Sequence, residues 1–489
     1  MTFPLYRALG RRHAPERFQP SRRSFLKGAG ALSATMLIDS CAAPVWQRRN
    51  APRIVVLGAG FAGLACASEL TARGHSVTVL EARGRVGGRV HSQPFGPSEK
   101  NTEAGAELIG SNHPHWITLA ERFRLQLLDV GDDVGLEAPI VMNGRRLAPQ
   151  ESEVLWHELD EALQRMNALA RSVNGDEPWL SENAAALDEL SVADWIDAQE
   201  LSDLTRHACH VQTTANNGVS TERQSLLAML AQVQGGGVER YWSDSELYRC
   251  RGGNQRLAEA LASTLNVSAL HLNSPVASVE RQGSGARVVC SAGRAFEADF
   301  VVVALPPNTW HRVRFEVADI ALLAPHQGLS VKYVAGVRRR FWRERGLSQY
   351  SFTDTEAAIT WDPTMGDDEG EDAALTIFAS ADAAQMSRAR SGAARRANYE
   401  RELDASFPGF STESTTSRFY DWPAEKWTGG GYSFPAPGEV TTKLSLLREF
   451  HGPLLFAGEH TSSAFVGYME GALESGVRVA RRLDARTNA

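Results

Sequence analysis

Ile54-Val55-Val56-Leu57-Gly58-Ala59-Gly60-Phe61-Ala62-Gly63 decides the fold. The four residues before the first glycine form an unbroken apolar run, the pattern of a parallel strand buried on both faces. The glycines that follow have separate tasks. Gly58 permits a tight turn out of the strand. Gly60 lets backbone approach a pyrophosphate placed on a helix N-terminus, and Gly63 lets helix and strand pack closely. A helical run from Leu64 to Arg73 is ended by Gly74. A second strand, Val77-Thr78-Val79-Leu80, closes on Glu81, a carboxylate placed to accept from ribose hydroxyls. Strand, glycine turn, helix, strand and acid together predict a dinucleotide-binding β-α-β unit. A set of packing glycines alone leaves Glu81 without a purpose.

Glu81-Ala82-Arg83-Gly84-Arg85-Val86-Gly87-Gly88-Arg89 follows without a break. Flexible glycines and several guanidinium groups suit a wrapped pyrophosphate and the edge of a ring system. Further on, residues 115–129 are predicted as one amphipathic helix through Trp116, Leu119, Phe123 and Leu127, and residues 150–245 as helix-rich. Leu257–Leu265 reads as a short helix. His271–Val279, Ala286–Cys290, Phe300–Ala304, Ser330–Val337 and Ala374–Ala379 read as strands. Asp367–Asp372 reads as a solvated acidic turn. Pro453–Ala457 is a last buried strand, and a helix from Tyr468 to Arg482 closes the chain. Nucleotide-type signals at both ends and in the middle predict a discontinuous cofactor domain with other segments inserted.

The chain has 489 residues, 43% hydrophobic and 22% charged, which suits a globular protein of more than one core. Its start is different. Ser21-Arg22-Arg23-Ser24-Phe25-Leu26-Lys27 is a twin-arginine block, and a weakly apolar run from Gly28 to Ile38 follows, too short to span a bilayer. Small residues come next at Cys41, Ala42 and Ala43. The order predicts a removable export signal over residues 1–43, recognised by the twin-arginine machinery after folding, with a periplasmic or exported product. Cleavage near Ala43 is preferred. Ile38-Asp39-Ser40-Cys41 loosely resembles a lipoprotein box with a poorly fitting Asp39, so a lipid anchor at Cys41 stays open. Losing residues 1–43 takes the formal charge from −7 to −12, a balance with no affinity for nucleic acid and none against a cationic substrate. Cys66, Cys209, Cys250 and Cys290 are widely spaced, neither a metal site nor a disulfide framework.

From about residue 53 to 483 the sequence resembles, in islands, the flavin-containing amine oxidase family. The loop after Glu81 looks like the family loop that covers FAD. Glu103-Ala104-Gly105-Ala106-Glu107 resembles the segment under the flavin, and Arg251–Leu257 a helix entry of the cofactor domain. Pro275-Val276 resembles the strand whose backbone meets adenine, and Val302–Pro307 the last central strand and its turn. Phe456-Ala457-Gly458-Glu459-His460-Thr461 and Gly467-Tyr468-Met469-Glu470-Gly471-Ala472 are the sharpest matches, to the second FAD-binding block. The resemblance implies an α/β fold: a discontinuous Rossmann-like FAD-binding domain of glutathione-reductase type (50–130, 245–310 and 441–485) with an inserted α+β substrate domain (131–244 and 311–440). It implies FAD contacts at Gly58, Gly60, Phe61, Ala62, Gly63, Glu81, Ala82, Arg83, Arg89, Gly105, Ala106, Glu107, Val276, Gly458, Glu459, Tyr468 and Met469, and no metal.

Three positions carry the family's catalytic features. Lys332 matches the lysine that holds a water near flavin N5. Tyr432 and Tyr468 match the two walls of an aromatic cage, whose rings can guide an amine. Gly431 stands where the mitochondrial monoamine oxidases have a flavin-bonding cysteine, so FAD is expected to be noncovalent. The implied reaction is oxidation of an amine to an imine by hydride-like transfer to the flavin. The imine hydrolyses to aldehyde and ammonia, and O2 or another acceptor reoxidises the cofactor, giving H2O2 when the acceptor is O2. An L-amino-acid oxidase is the runner-up. It needs a cation for the carboxylate, and Glu103–Gly110 supplies no arginine, although one could arrive from the helical insert. A carbon–carbon desaturase or isomerase, a flavoprotein without turnover and a quinone-linked dehydrogenase also remain open, as does a homodimer.

Overall fold

The computed structural model describes residues 4–18, 51–130, 135–318, 320–366 and 371–488. The twin-arginine block, the apolar run to Ile38, Cys41, Ala43 and most of the acidic turn at 367–372 lie outside these residues. The first described element is helix α1 (Pro4–His13), which buries Leu5 and Leu9 in the largest apolar core of the molecule. Residues 4–18 therefore form part of the folded body, although the sequence places them within a leader.

Strand β1 (Arg53–Leu57) is the centre of a five-stranded sheet. β2 (Ser76–Leu80) and β3 (Leu270–His271) lie on one side of it, β4 (Phe300–Val303) and β5 (Leu454–Phe456) on the other. All four pairings are parallel. The apolar run has a physical reason. Ile54 and Val56 face one core, with helix α2 (Phe61–Ala72) and helix α3 (Met469–Asn488). Val55 and Leu57 face another, with Val279, Val288 and Phe456. The helices α2 and α3 approach so closely that a Cβ on Gly476 would stand 2.3 Å from the carbonyl oxygen of Ala62. Sheet strands thus come from three separated stretches of chain.

A small sheet covers the second face, with Val276–Gln282, Gly285–Cys290 and Ala295–Ala298 antiparallel and Arg314–Phe315 parallel at its edge. The expected strand His271–Val279 divides at Pro275, its two halves joining different sheets. The expected helix over 115–129 also divides. Its helical part is Pro114–Arg122, Arg124 takes a left-handed φ of 55°, and Leu127–Asp129 pairs as a strand with Tyr248–Cys250.

The remaining chain builds a seven-stranded sheet. Its longest pair is Ser330–Val337 antiparallel to Ala373–Ser380, with every residue of both strands buried. Helices Pro149–Ala170, Asp203–Asn217 and Leu226–Gly235 pack over it and share one core with α1. Lys332 sits opposite Phe378 in that pairing, which places a buried lysine against the segment Glu103–Glu107.

Candidate active site

One elongated cavity runs from the C-terminal ends of β1 and β2 to the strand carrying Lys332. Its lining includes Gly58, Gly60, Phe61, Ala62, Glu81, Ala82 and Arg83 at one end. Gly58 turns at φ 101°. At Gly60 a Cβ would meet nothing nearer than Gly88 Cα at 3.9 Å, so the backbone there borders open space. Gly63 does not line the cavity: a Cβ on it would lie 2.0 Å from Gly58 O, which makes it a packing glycine. The Glu81 carboxylate is fixed from two sides, accepting from the backbone N–H of Ala59 and of Arg83, each at 2.8 Å.

The arginine loop folds back over this end. Gly87 N–H donates to Ala59 O at 2.9 Å. Arg85 turns inward, donating to the carbonyls of Val86, Gly88 and Val90, and burial, then neighbouring Arg83, lowers its pKa to about 10. Arg83 pairs with Glu425 and donates to Thr428 Oγ1. Arg89 reaches across the cavity to Glu459 at 2.8 Å and to Gly431 O at 3.0 Å.

Glu459 is a hub. Its carboxylate also accepts from Ser433 N–H, Ser433 Oγ and Gly467 N–H. Burial works against its charged form, but Arg89, His460 and the Gly467 N–H prevail and hold its carboxyl below the usual range. Next to it His460 is buried, with its pKa lowered by burial to about 4. Neither of its ring nitrogens has a partner. Beside a cavity of this shape, those orphaned nitrogens fit a polar group of a bound cofactor. Glu107 Oε1 is likewise buried and without a partner, and it lines the same cavity.

At the other end Lys332 Nζ donates to Glu107 Oε2 at 2.6 Å and to the carbonyls of Glu103 and Gly105, each at 2.9 Å. Nζ lies 5.3 Å from the ring centre of Trp361. Tyr432 is held by its hydroxyl, which donates to Asn216 O at 2.5 Å. Tyr468 packs edge-on against His113 and Phe465, at 5.5 and 6.2 Å between ring centres. Phe378, Glu246 and Leu108 complete this end.

Glu103 supports the segment from behind, accepting from Ser92 Oγ and Asn254 N–H. Burial is the main cause that raises its pKa to about 7. The folded carboxyl thus binds its proton more tightly than the unfolded one. Its contribution is fully present below about pH 4.5 and is lost as pH rises through about 7, a swing of about 3 kcal/mol. Glu103→Gln is expected to unfold at higher urea than the parent at pH 8 and at nearly the same urea at pH 5. An equal offset at both pH values would contradict this.

Every cofactor or catalytic residue expected from the sequence lines this cavity except Gly63. Sequence reasoning passed over Trp361, Phe378, Trp422, Glu246 and His460. His460 lay inside a quoted motif. The other four come from separate segments with no motif of their own.

The sequence profile of the flavin containing amine oxidoreductase family matches residues 61–484, and the profile of the twin-arginine translocation pathway signal matches residues 19–38. The chain thus carries a signal for export across a membrane, and no helix among the described residues is long and apolar enough to cross one. Nicotine dehydrogenase of Pseudomonas putida is 26% identical over 95% of this chain and 97% of its own. L-amino acid dehydrogenase of Synechocystis sp. is 24% identical over 88% of this chain and 94% of its own. The solved structure of putrescine oxidase bound to putrescine is similar with a TM-score of 0.80 at 25% identity, covering 89% of this chain and 99% of that one. A flavin cofactor and an amine oxidoreductase activity go with that match, and the chain belongs to the flavin containing amine oxidoreductase family.

Proposed function

We propose that the protein oxidises a primary or secondary amine to the imine, using noncovalently held FAD and passing the electrons to O2. The observation that carries this reading is the composition of the Lys332 end. Aromatic rings of Tyr432, Tyr468, Trp361 and Phe378 surround it. Its one lysine is paired with Glu107, and of the cavity's arginines Arg83 is paired with Glu425 and Arg89 with Glu459. Such a chamber suits an amine that has shed its proton, because a low-dielectric wall favours the neutral form.

Glu81 would hold the ribose hydroxyls of FAD, and the N-terminus of α2 at Phe61 and Ala62 its pyrophosphate. Arg83 and Arg89 would cover it, Gly105, Ala106 and Glu107 would hold its ring side, and Val276 would take its adenine. Gly458, Glu459 and the start of α3 at Tyr468 and Met469 would take its polyol and pyrimidine side. Bound FAD supplies the acceptor for two electrons from the carbon that carries nitrogen. Lys332 Nζ gives its three N–H donors to Glu107 Oε2 and the carbonyls of Glu103 and Gly105, so it would hold a water beside the flavin by exchanging one of those acceptors for it. Tyr432 and Tyr468 orient the amine and exclude bulk water. Overall, R–CH2–NH2 loses two electrons and two protons to become R–CH=NH, and O2 gains both pairs to become H2O2. Water then converts the imine to aldehyde and ammonia. Gly431 supports noncovalent binding: it offers no thiol, and a Cβ there would lie 2.8 Å from Ser330 Oγ.

Oxidation of an L-amino acid is the second reading. One feature favours it, namely that Arg7 and Arg11 wall a small space adjoining the Lys332 end. Both arginines precede the export signal, which is why the amine reading is preferred. Heat-denatured protein is expected to release its flavin as FAD into the supernatant, and turnover to yield one H2O2 per aldehyde. Flavin that stays with the precipitated protein, or turnover without peroxide, would count against the respective claim.

A further inference from the structure

The helix ahead of the twin-arginine block has no place in the reaction, yet it is docked beside the site. Leu5 and Leu9 are buried, and Tyr6 stacks on Trp156 at 5.0 Å between ring centres. The Tyr6 hydroxyl donates to Asp160 at 2.6 Å, and Arg7 Nη1 donates to Glu246 O at 2.6 Å. Arg7, Ala8 and Arg11 wall a small space whose inner side is Leu108, Glu246 and Trp361. Those same three residues wall the Lys332 end of the main cavity. The helix therefore borders the chamber assigned to the amine, across Leu108, Glu246 and Trp361.

We propose that α1 is an intramolecular gate, which keeps the precursor's cavity shut to amines until the export signal is cut away. The inference rests on the amine reading above. Three further observations support it. Residues 1–18 hold four arginines and one glutamate, so the docked segment adds positive charge beside the space that Arg7 and Arg11 wall, which disfavours a cationic amine there. The twin-arginine signal spans residues 19–38, and any cut between residues 19 and 50 separates the helix from the body. Undocking also removes Arg7 from Glu246 O and so uncovers Glu246. The helix is coupled to the chamber as well. Leu5 N–H donates to Gln212 Oε1 at 3.0 Å, Gln212 Nε2 to Asn216 Oδ1 at 2.8 Å, and Asn216 O receives the Tyr432 hydroxyl.

The test uses flavin-loaded full-length chain, kept in the cytoplasm by Arg22→Lys and Arg23→Lys, with a specific protease site placed between residues 40 and 50. Benzylamine is the reducing probe. The binding probe is tert-butylamine, which lacks a hydrogen on the carbon bearing nitrogen and cannot be oxidised. The gate predicts that cutting, followed by gel filtration, raises the anaerobic bleaching rate at low benzylamine at least tenfold and tightens tert-butylamine binding in calorimetry by a similar factor. The uncut Leu5→Asp/Leu9→Asp variant is expected to behave like the cut protein. Equal rates and affinities in all forms would overturn the gate. Weaker binding after release would also overturn it and make Arg7 and Arg11 part of the substrate site. If tert-butylamine binds only after release while no amine bleaches either form, the gate stands and the amine reading falls.

Discussion

Glu459→Ala is expected to purify without its yellow colour and to unfold several degrees below the parent. Glu459 is buried and collects Arg89, both donors of Ser433 and the Gly467 N–H. It thereby ties the arginine loop, the segment bearing Tyr432 and the start of α3 around one carboxylate. Removing one partner of a buried pair costs about 3–5 kcal/mol, because the donors left behind have lost water as well as their acceptor. The loss falls on groups proposed to hold the flavin, so cofactor content should drop together with stability. Glu459→Gln keeps one acceptor oxygen, and an intermediate flavin content is expected from it. Absorbance ratio and thermal unfolding measure both quantities. Full flavin content and unchanged unfolding in Glu459→Ala would show that the hub is dispensable.

The second large effect is expected at Lys332. Lys332→Met leaves Glu107 buried beside a methyl group and removes the donor to the carbonyls of Glu103 and Gly105. A fall of about 100-fold or more in the rate of flavin reduction by amine is expected, the size that follows loss of one positioned donor in a water-excluded site. Stability should fall too, by about 3–5 kcal/mol. Pairing it with Glu107→Gln separates the two losses. The double variant removes the uncompensated charge, so stability should largely return while the rate stays low. A rate that returned together with stability would reduce Lys332 to a structural residue.

The parallel sheet was legible because its constraints are local. A strand buried on two faces must be apolar throughout, as Ile54–Leu57 is. A glycine whose Cβ would sit 2.0 Å from another carbonyl, as at Gly63, has no substitute. The second block was legible for the same reason, with Gly458, Glu459, Gly467 and Tyr468 within eleven residues. Trp361, Phe378 and Glu246 were not legible. Each sits in an ordinary strand or loop and becomes part of the site only through the pairing of distant strands. The docking of α1 was hidden in another way. Two leucines four apart in a basic segment fit a leader as well as a helix, and the surface that receives them comes from residues more than a hundred positions away. The single helix expected over 115–129 failed because its apolar spacing continues past Arg124, while the backbone there turns left-handed to start a strand.

The most direct test of the central claim is an anaerobic titration of the signal-free holoenzyme, following the flavin band at about 450 nm. The panel holds primary and secondary amines beside L-amino acids. Bleaching by amines, with H2O2 formed on admitting air, is the predicted result. Bleaching by L-amino acids alone, or by no member of the panel, would contradict it.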